Sequence, residues 1–185
     1  FMDDITPEEL YKGLLAHGLF TEKLPPVFTS EPFYQYCVEA ERPFQNRRRD
    51  FVYFESMRDI NIPRALGIPD PFAYQELCRV LKDYWNQIQQ HFHQQTDVIP
   101  YKISRLHLRK RRESSALFKM NYQNWRTDPN PVDDICIGKK YVVHADISTC
   151  FPSIYTHSIP WALVGKSYAK SNQRASEWFN QIDKA

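Results

Sequence analysis

The sequence contains no long apolar run and no cysteine pattern typical of a metal site. No stretch reaches the roughly 18 apolar residues of a membrane-spanning helix, and the N-terminus lacks the apolar segment of a signal peptide. The four cysteines have no C-x-x-C spacing, which argues against both zinc binding and a disulfide framework. These absences predict a chain that resides in the reducing cytoplasm and has no membrane partner.

Excess charge is also small, because the formal net charge of the 185 residues is only +2. The basic residues are nevertheless clustered in a short arginine triplet and in a longer run. The candidates for nucleic-acid contact in these clusters are Arg48, Arg105, Arg109, Lys110, Arg111 and Arg112. Both clusters could follow a nucleic-acid backbone, and the alternative is a solvated charged face, which is the commoner fate of such runs. Aromatic residues are numerous (4 Trp, 11 Tyr, 12 Phe) and could stack on bases or fill a core.

Helix signals are clearest near the N-terminus. Thr6, Pro7 and Glu9 have the spacing of a capping box with proline in the first helical position. Leucines follow at helical spacing, and Gly18 is a suitable end. The pattern predicts a short helix within residues 3–19.

The next part of the chain predicts two strands and then a longer helix. Segments 51–54 and 64–68 have strand composition and together predict a hairpin. Asp70 and Pro71 form a second helix start, and apolar residues at helical spacing extend to about Phe92.

The secondary-structure signals after residue 100 are mixed. Apolar and polar residues alternate over 101–108, which predicts a strand, whereas 113–122 could be strand or helix. Prolines and a glycine predict a loop over 126–138. Two further helices are predicted, one from Ser158 through Lys166 and one over 173–182.

Asp146 is the strongest candidate for chemistry. It ends the β-branched apolar run 141–145, and a carboxylate at the C-terminal end of a strand lies at a sheet rim, where ligands bind. Carboxylate oxygen is a preferred ligand of Mg²⁺. From this segment alone, a capping role for Asp146 in the following turn is an equal alternative.

Two segments resemble motifs of reverse transcriptases. Residues 146–154 read Asp-Ile-Ser-Thr-Cys-Phe-Pro-Ser-Ile and resemble the first palm motif, which begins D-I-x-x-F-F-x-S-I, with Cys150 replacing the first aromatic. The continuation 158–166 is similar to the bacterial abortive-infection and phage-defence branch. Residues 64–69, Arg-Ala-Leu-Gly-Ile-Pro, resemble the fingers motif R-P-L-G-I-P of bacterial and intron enzymes. The two segments occur in the order that the family has.

The resemblance implies a fold and a division of the chain. The expected fold class is α+β, a fragment of a right-hand polymerase with helix-rich fingers, a small β-hairpin and the start of a palm sheet. Residues 1–45 would be an N-terminal helical extension, residues 46–135 the fingers, and residues 136–185 a partial palm.

The resemblance also implies roles for individual residues. Asp146 and the backbone carbonyl of Ile147 would hold Mg²⁺ or Mn²⁺, and Arg64 would bind the triphosphate of the incoming nucleotide. Phe151 would lie beneath the sugar and exclude a 2′-hydroxyl, the alternative being plain core packing. His157 is predicted to be structural, donating a hydrogen bond that stabilises a turn.

The implied activity is RNA-directed DNA synthesis by two-metal phosphoryl transfer to a primer 3′-hydroxyl, in bacterial anti-phage defence. Its partners would be an RNA template, the DNA product and dNTPs, with a protein primer or an oligomer as further options. The alternatives are a template-independent, protein-primed DNA polymerase and a non-catalytic nucleic-acid-binding or assembly module.

The family's second acidic motif, Tyr-x-Asp-Asp, is not found in the sequence. The paired acids Asp3-Asp4 and Asp133-Asp134 both precede Asp146 and lack the required aromatic setting. Two-metal catalysis needs at least two carboxylates. The 185-residue chain is therefore expected to be an inactive portion of a larger enzyme.

Overall fold

The computed structural model describes part of the chain. The described residues are 4–20, 24–25, 27–40, 50–59, 62–98, 107–110, 118–121, 136–143, 145, 150 and 153–185. They form a mixed, helix-rich α+β fold with two small, two-stranded sheets, of which β1–β2 is antiparallel. The predicted fold class α+β is confirmed at this level. None of the helices in these ranges is long and apolar enough to cross a membrane.

Helices and strands follow one another along the chain in a simple order. Within the described ranges the elements are α1 (Pro7–His17), α2 (Glu31–Glu39), β1 (Val52–Asp59), β2 (Ile62–Ile68), α3 (Pro71–Asp83), α4 (Trp85–Val98), β3 (His107–Lys110), β4 (Phe118–Asn121), α5 (Ser158–Val164), α6 (Lys166–Ser171) and α7 (Trp178–Lys184). β1 pairs with β2, and β3 pairs with β4, in separate two-stranded sheets.

The chain forms two compact units. The N-terminal unit consists mainly of Asp3–Trp85, and the C-terminal unit consists mainly of Asn86–Arg109 and Lys119–Lys184. The predicted division into an N-terminal extension, fingers and partial palm is a different partition and stays a prediction.

Helix α1 begins and ends at the predicted residues. The Thr6 hydroxyl accepts a hydrogen bond from the Glu9 amide at 3.2 Å, and the Glu9 carboxylate accepts one from the Thr6 amide at 3.1 Å. Together they satisfy two amides that a helix start leaves unpaired. Gly18 follows the last helical residue and donates its amide to the Leu14 carbonyl at 2.7 Å. The helix covers Pro7–His17 and is therefore shorter than the predicted interval of residues 3–19.

The start of α3 is also as predicted, but its end is not. The Asp70 carboxylate accepts hydrogen bonds from the amides of Phe72 and Ala73 at 3.0 and 3.1 Å. The predicted single helix to Phe92 is wrong, because α3 ends at Asp83 and α4 begins at Trp85. The Trp85 indole donates to the Ile5 carbonyl at 2.8 Å. Such a tertiary bond is not encoded in apolar spacing.

The N-terminal unit has an apolar core around α1, which packs against α2 and α3. Tyr11 lies edge-on to Tyr34, with ring centroids 6.3 Å apart, and Phe33 lies edge-on to Phe72 at 5.8 Å. The buried apolar residues of this unit are Ile5, Leu10, Leu15, Ala16, Leu19, Leu24, Cys78, Val80 and Trp85. Full burial of one large apolar side chain contributes about 1.5–3 kcal/mol, so this cluster is the main source of the unit's stability.

The predicted hairpin is confirmed and is longer than the sequence pattern suggested. β1 and β2 pair antiparallel from Val52 opposite Ile68 to Met57 opposite Pro63. Gly67 lies close to the Phe51 ring, since a Cβ there would be 3.0 Å from it.

The three helices that follow residue 157 are short, with six or seven residues each. α5 begins at Ser158, which was predicted to cap the helix, but the N-cap is His157. The helix ends at Val164, because Gly165 has φ +86°, a conformation that favours glycine. The predicted extension to Lys166 is therefore wrong, and Lys166 instead begins α6. The last helix begins at Trp178 rather than at residue 173.

Candidate functional site

Arg64, the predicted triphosphate ligand, lies in the second strand of the hairpin. Its backbone pairs with Ser56 in the antiparallel register, between exposed Pro63 and Ala65. The guanidinium group lies outside the described part of the structure. Binding of a triphosphate by Arg64 stays a prediction.

The predicted metal site falls on residues that the structure does not describe. Asp146, Ile147 and Phe151 all lie outside the described ranges. Within those ranges, no group of three or more His, Cys, Asp or Glu side chains could hold a metal ion. The Mg²⁺ or Mn²⁺ site and the sugar-contacting aromatic therefore stay sequence predictions.

The strand predicted before Asp146 is not present in its described part. Tyr141, Val142 and Val143 have no regular secondary structure and are 78%, 53% and 85% exposed. Among the described residues, no strand pairs with them. β-branched composition favours a strand only where a neighbouring strand takes up the backbone hydrogen bonds and covers the side chains. This expectation from local pattern was wrong for residues 141–143.

The basic clusters are described only in part. Arg48, Arg105, Arg111 and Arg112 lie outside the described residues. Arg109 and Lys110 are the last two residues of β3, and only their backbone is described. Contact of these residues with nucleic acid stays a prediction.

A pocket in the C-terminal unit is lined by residues that come after segment 146–154 in the sequence. We call it the α5–α7 pocket; its volume is about 370 Å³. It is lined by Tyr155, His157, Pro160, Trp161, Ala169, Lys170, Gln173, Asn180, Asp183 and Lys184. Two lysines, an imidazole, a carboxylate, two amides and two aromatic rings thus surround one concave site. That mixture suits a small polar ligand with an aromatic part.

A histidine–carboxylate pair lies in this pocket. His157 Nδ1 is 2.5 Å from Asp183 Oδ2, with the imidazole 62% exposed and the carboxylate 11% exposed. The Tyr155 ring lies edge-on to the imidazole at 5.1 Å. Because the carboxylate engages Nδ1, it fixes the ring orientation and leaves Nε2 as the nitrogen for a further partner.

The prediction for His157 was correct about hydrogen bonding but not about the partner. Its partner is Asp183 in α7, 26 residues further along the chain, rather than a group of the local turn. Sequence reasoning missed Asp183, because no local spacing links a turn residue to a helix that far away.

The loop before α7 is held by side-chain amides. The Asn180 Nδ2 group donates to the carbonyls of Asn172 and Arg174 at 2.8 and 2.9 Å. Gln181 Nε2 donates to the Ala175 carbonyl. These bonds fix the loop that contains Gln173, one of the pocket-lining residues. The Asn180 carbonyl oxygen is left as an acceptor.

A second polar cluster is buried in the N-terminal unit. The Tyr74 hydroxyl donates to the Leu14 carbonyl at 3.0 Å, and Gln75 Nε2 donates to the Tyr11 hydroxyl at 3.0 Å. Burial raises the pKa of the Cys78 thiol to about 12 and also raises the pKa of the Tyr74 hydroxyl. These groups are neutral at physiological pH, so the cluster has a structural character.

Comparison with known proteins adds no identification. The chain matches no protein-family model, no curated protein and no solved structure.

Proposed function

We propose that the chain is the fingers and first palm segment of a bacterial defence-type reverse transcriptase that works in the cytoplasm. In this proposal the whole enzyme adds dNTPs to a primer 3′-hydroxyl on an RNA template. Asp146 and the Ile147 carbonyl hold a divalent ion, and Arg64 binds the nucleotide triphosphate.

The hairpin is the observation that supports the proposal most. Arg64 lies in an antiparallel β-ribbon, opposite Ser56, and the family's fingers arginine is expected on such a ribbon. The ribbon was predicted from the strand composition of segments 51–54 and 64–68, independently of any motif. The motif and the local structure around Arg64 therefore agree.

The chemistry requires each of these residue types. A guanidinium stays charged at all physiological pH values and forms paired hydrogen bonds to phosphate oxygens. A carboxylate binds a hard divalent cation, which stabilises charge on the attacking and leaving oxygens. Phe151 beneath the sugar would favour deoxynucleotides by occupying the space of a 2′-hydroxyl.

A primer-extension assay on the full-length encoded protein tests the proposal. Mg²⁺-dependent incorporation of dNTPs on an RNA template is expected, and Asp146→Asn should reduce it by about 10³-fold or more, because one of the metal ligands is lost. Asp133→Asn is the matched control and should leave the rate unchanged. RNA binding without any synthesis would instead show a non-catalytic module.

Two further arms sharpen the assay. Arg64→Ala should raise the KM for dNTPs, whereas the control Arg174→Ala, at an exposed position of the C-terminal unit, should not. Synthesis that continues without template RNA would identify the template-independent variant of the same polymerase.

A further inference from the structure

We propose that the α5–α7 pocket is a nucleotide-binding site, accepting one aromatic base with its sugar and phosphate. The site goes beyond the proposed polymerase function, because none of its residues belongs to the predicted metal or triphosphate ligands. The proposed ligand is a nucleoside monophosphate unit, which can be a free nucleotide or part of a single strand.

The size and the aromatic side of the pocket fit such a unit. A volume of about 370 Å³ lies within the range of about 300–1,000 Å³ that small-ligand sites have. Tyr155 is 58% exposed and lines the pocket, so its ring is accessible for stacking. The Trp161 ring lies 5.7 Å from that of Tyr155 and has the Lys166 ammonium 4.8 Å above it.

Positive charge is concentrated at the pocket. Lys170 and Lys184 both line it, and neither makes an ion pair or hydrogen bond with another residue in the described ranges. Each lies in the last turn of its helix, where a lysine also favours the helix dipole. The helix dipole accounts for a lysine at the end of each helix. A bound phosphate would account for both lysines lining the same pocket.

Hydrogen-bonding groups complete the match to a nucleotide. His157 is oriented by Asp183, which leaves Nε2 as the nitrogen available to a phosphate or sugar oxygen. Gln173 and Asn180 line the same site, and the loop carbonyls use the amide nitrogen of Asn180. Amide side chains pair with the donor and acceptor edges of bases. Aromatic, cationic and amide groups in one pocket favour a nucleotide over an isolated anion.

Calorimetric titration of the full chain in EDTA tests the site. The ligands are adenosine monophosphate, uridine monophosphate, adenosine, inorganic phosphate and a short single-stranded oligonucleotide. EDTA removes divalent ions, so failure here is distinct from failure of the metal-dependent polymerase proposal. The monophosphates should bind at least about tenfold more tightly than phosphate or adenosine, because they engage both halves of the pocket.

The decisive variant removes the two pocket charges. Lys170→Gln with Lys184→Gln should weaken nucleotide binding by about tenfold or more. The matched control is Lys12→Gln with Lys139→Gln, which removes two exposed lysines elsewhere and the same total charge. It should weaken binding less than about twofold, after allowance for screened long-range charge.

A second variant keeps the proposal testable if the double lysine variant does not fold. Tyr155→Leu should weaken nucleotide binding and leave phosphate binding unchanged, because it removes only the stacking surface. Equal weakening by both lysine pairs, phosphate binding as tight as nucleotide binding, or no effect of Tyr155→Leu would each overturn the proposal. Tighter binding of the oligonucleotide would identify a strand as the source, and tighter binding of the monophosphates would identify a free nucleotide.

Discussion

The two units of the molecule use their polar groups in opposite ways. In the N-terminal unit, polar groups such as the Tyr74 hydroxyl and the Trp85 indole are paired inside an apolar core. In the α5–α7 part of the C-terminal unit, polar groups line an open pocket, and the buried residues of 153–185 are few: Pro160, Ala169 and Phe179. The first arrangement favours stability, and the second leaves donors and charges available to a ligand.

Helix ends differ in the same way. In the N-terminal unit, α1 and α3 have side-chain N-caps, Thr6 and Asp70, whereas Ser30 before α2 makes no capping hydrogen bond. The N-cap residues of α5 and α6, His157 and Gly165, make no capping hydrogen bond. Short, uncapped helices depend more on their few packing contacts. Most of the local stability is therefore expected in residues 4–85.

Core truncation should show the largest effect. Leu15→Ala should lower the free energy of unfolding by about 2–5 kcal/mol, because it leaves a cavity in the larger core. Phe179→Ala should cost about 3–5 kcal/mol and should act on helices α5–α7. Hydrogen exchange followed by mass spectrometry assigns each loss to a unit. If either variant speeds exchange equally in both units, they unfold as one and the comparison fails.

Gly18→Ala should have the next largest effect. A Cβ at this position would lie 2.4 Å from the Tyr74 hydroxyl and 2.5 Å from the Leu14 carbonyl oxygen. Overpacking of this kind costs about 1–3 kcal/mol, measured by urea denaturation. In a Tyr74→Phe background the cost should be smaller, because one of the two clashing atoms is removed. An unchanged cost would show that the backbone contact alone limits the site.

Removing the cap of α3 should have a smaller effect. Asp70→Ala deletes the acceptor of the Phe72 and Ala73 amides and should cost about 1 kcal/mol. The control Asp50→Ala removes the same charge at an exposed position outside any helix, and should stay within about 0.5 kcal/mol of the parent protein. Equal costs for the two variants would mean that charge, not capping, is responsible.

Thiol reactivity separates the units without changing stability. Burial raises the pKa of Cys37 to about 11 and that of Cys78 to about 12, so both stay protonated at pH 8. Cys150 is exposed. A thiol reagent should therefore modify Cys150 well before Cys37 and Cys78, and peptide mapping gives the order. Equally fast modification of Cys78 would show that the N-terminal core opens readily.

Local signals in the sequence determined the starts of α1 and α3 and the hairpin. Thr6 and Asp70 accept hydrogen bonds from amides two or three residues further on, so the local pattern alone predicts each cap. The strand composition of segments 51–54 and 64–68 likewise predicted the ribbon that contains Arg64. In each case the interacting groups lie close together along the chain.

Only the tertiary structure decided the features that depend on distant residues. Trp85 donates to a carbonyl 80 residues away, Tyr74 to one 60 residues away, and His157 pairs with Asp183 over 26 residues. Residues 141–143 have strand composition but no pairing strand among the described residues. Caps and turns are formed by adjacent residues, whereas helix breaks, sheet pairing and pockets require partners that only the folded chain brings together.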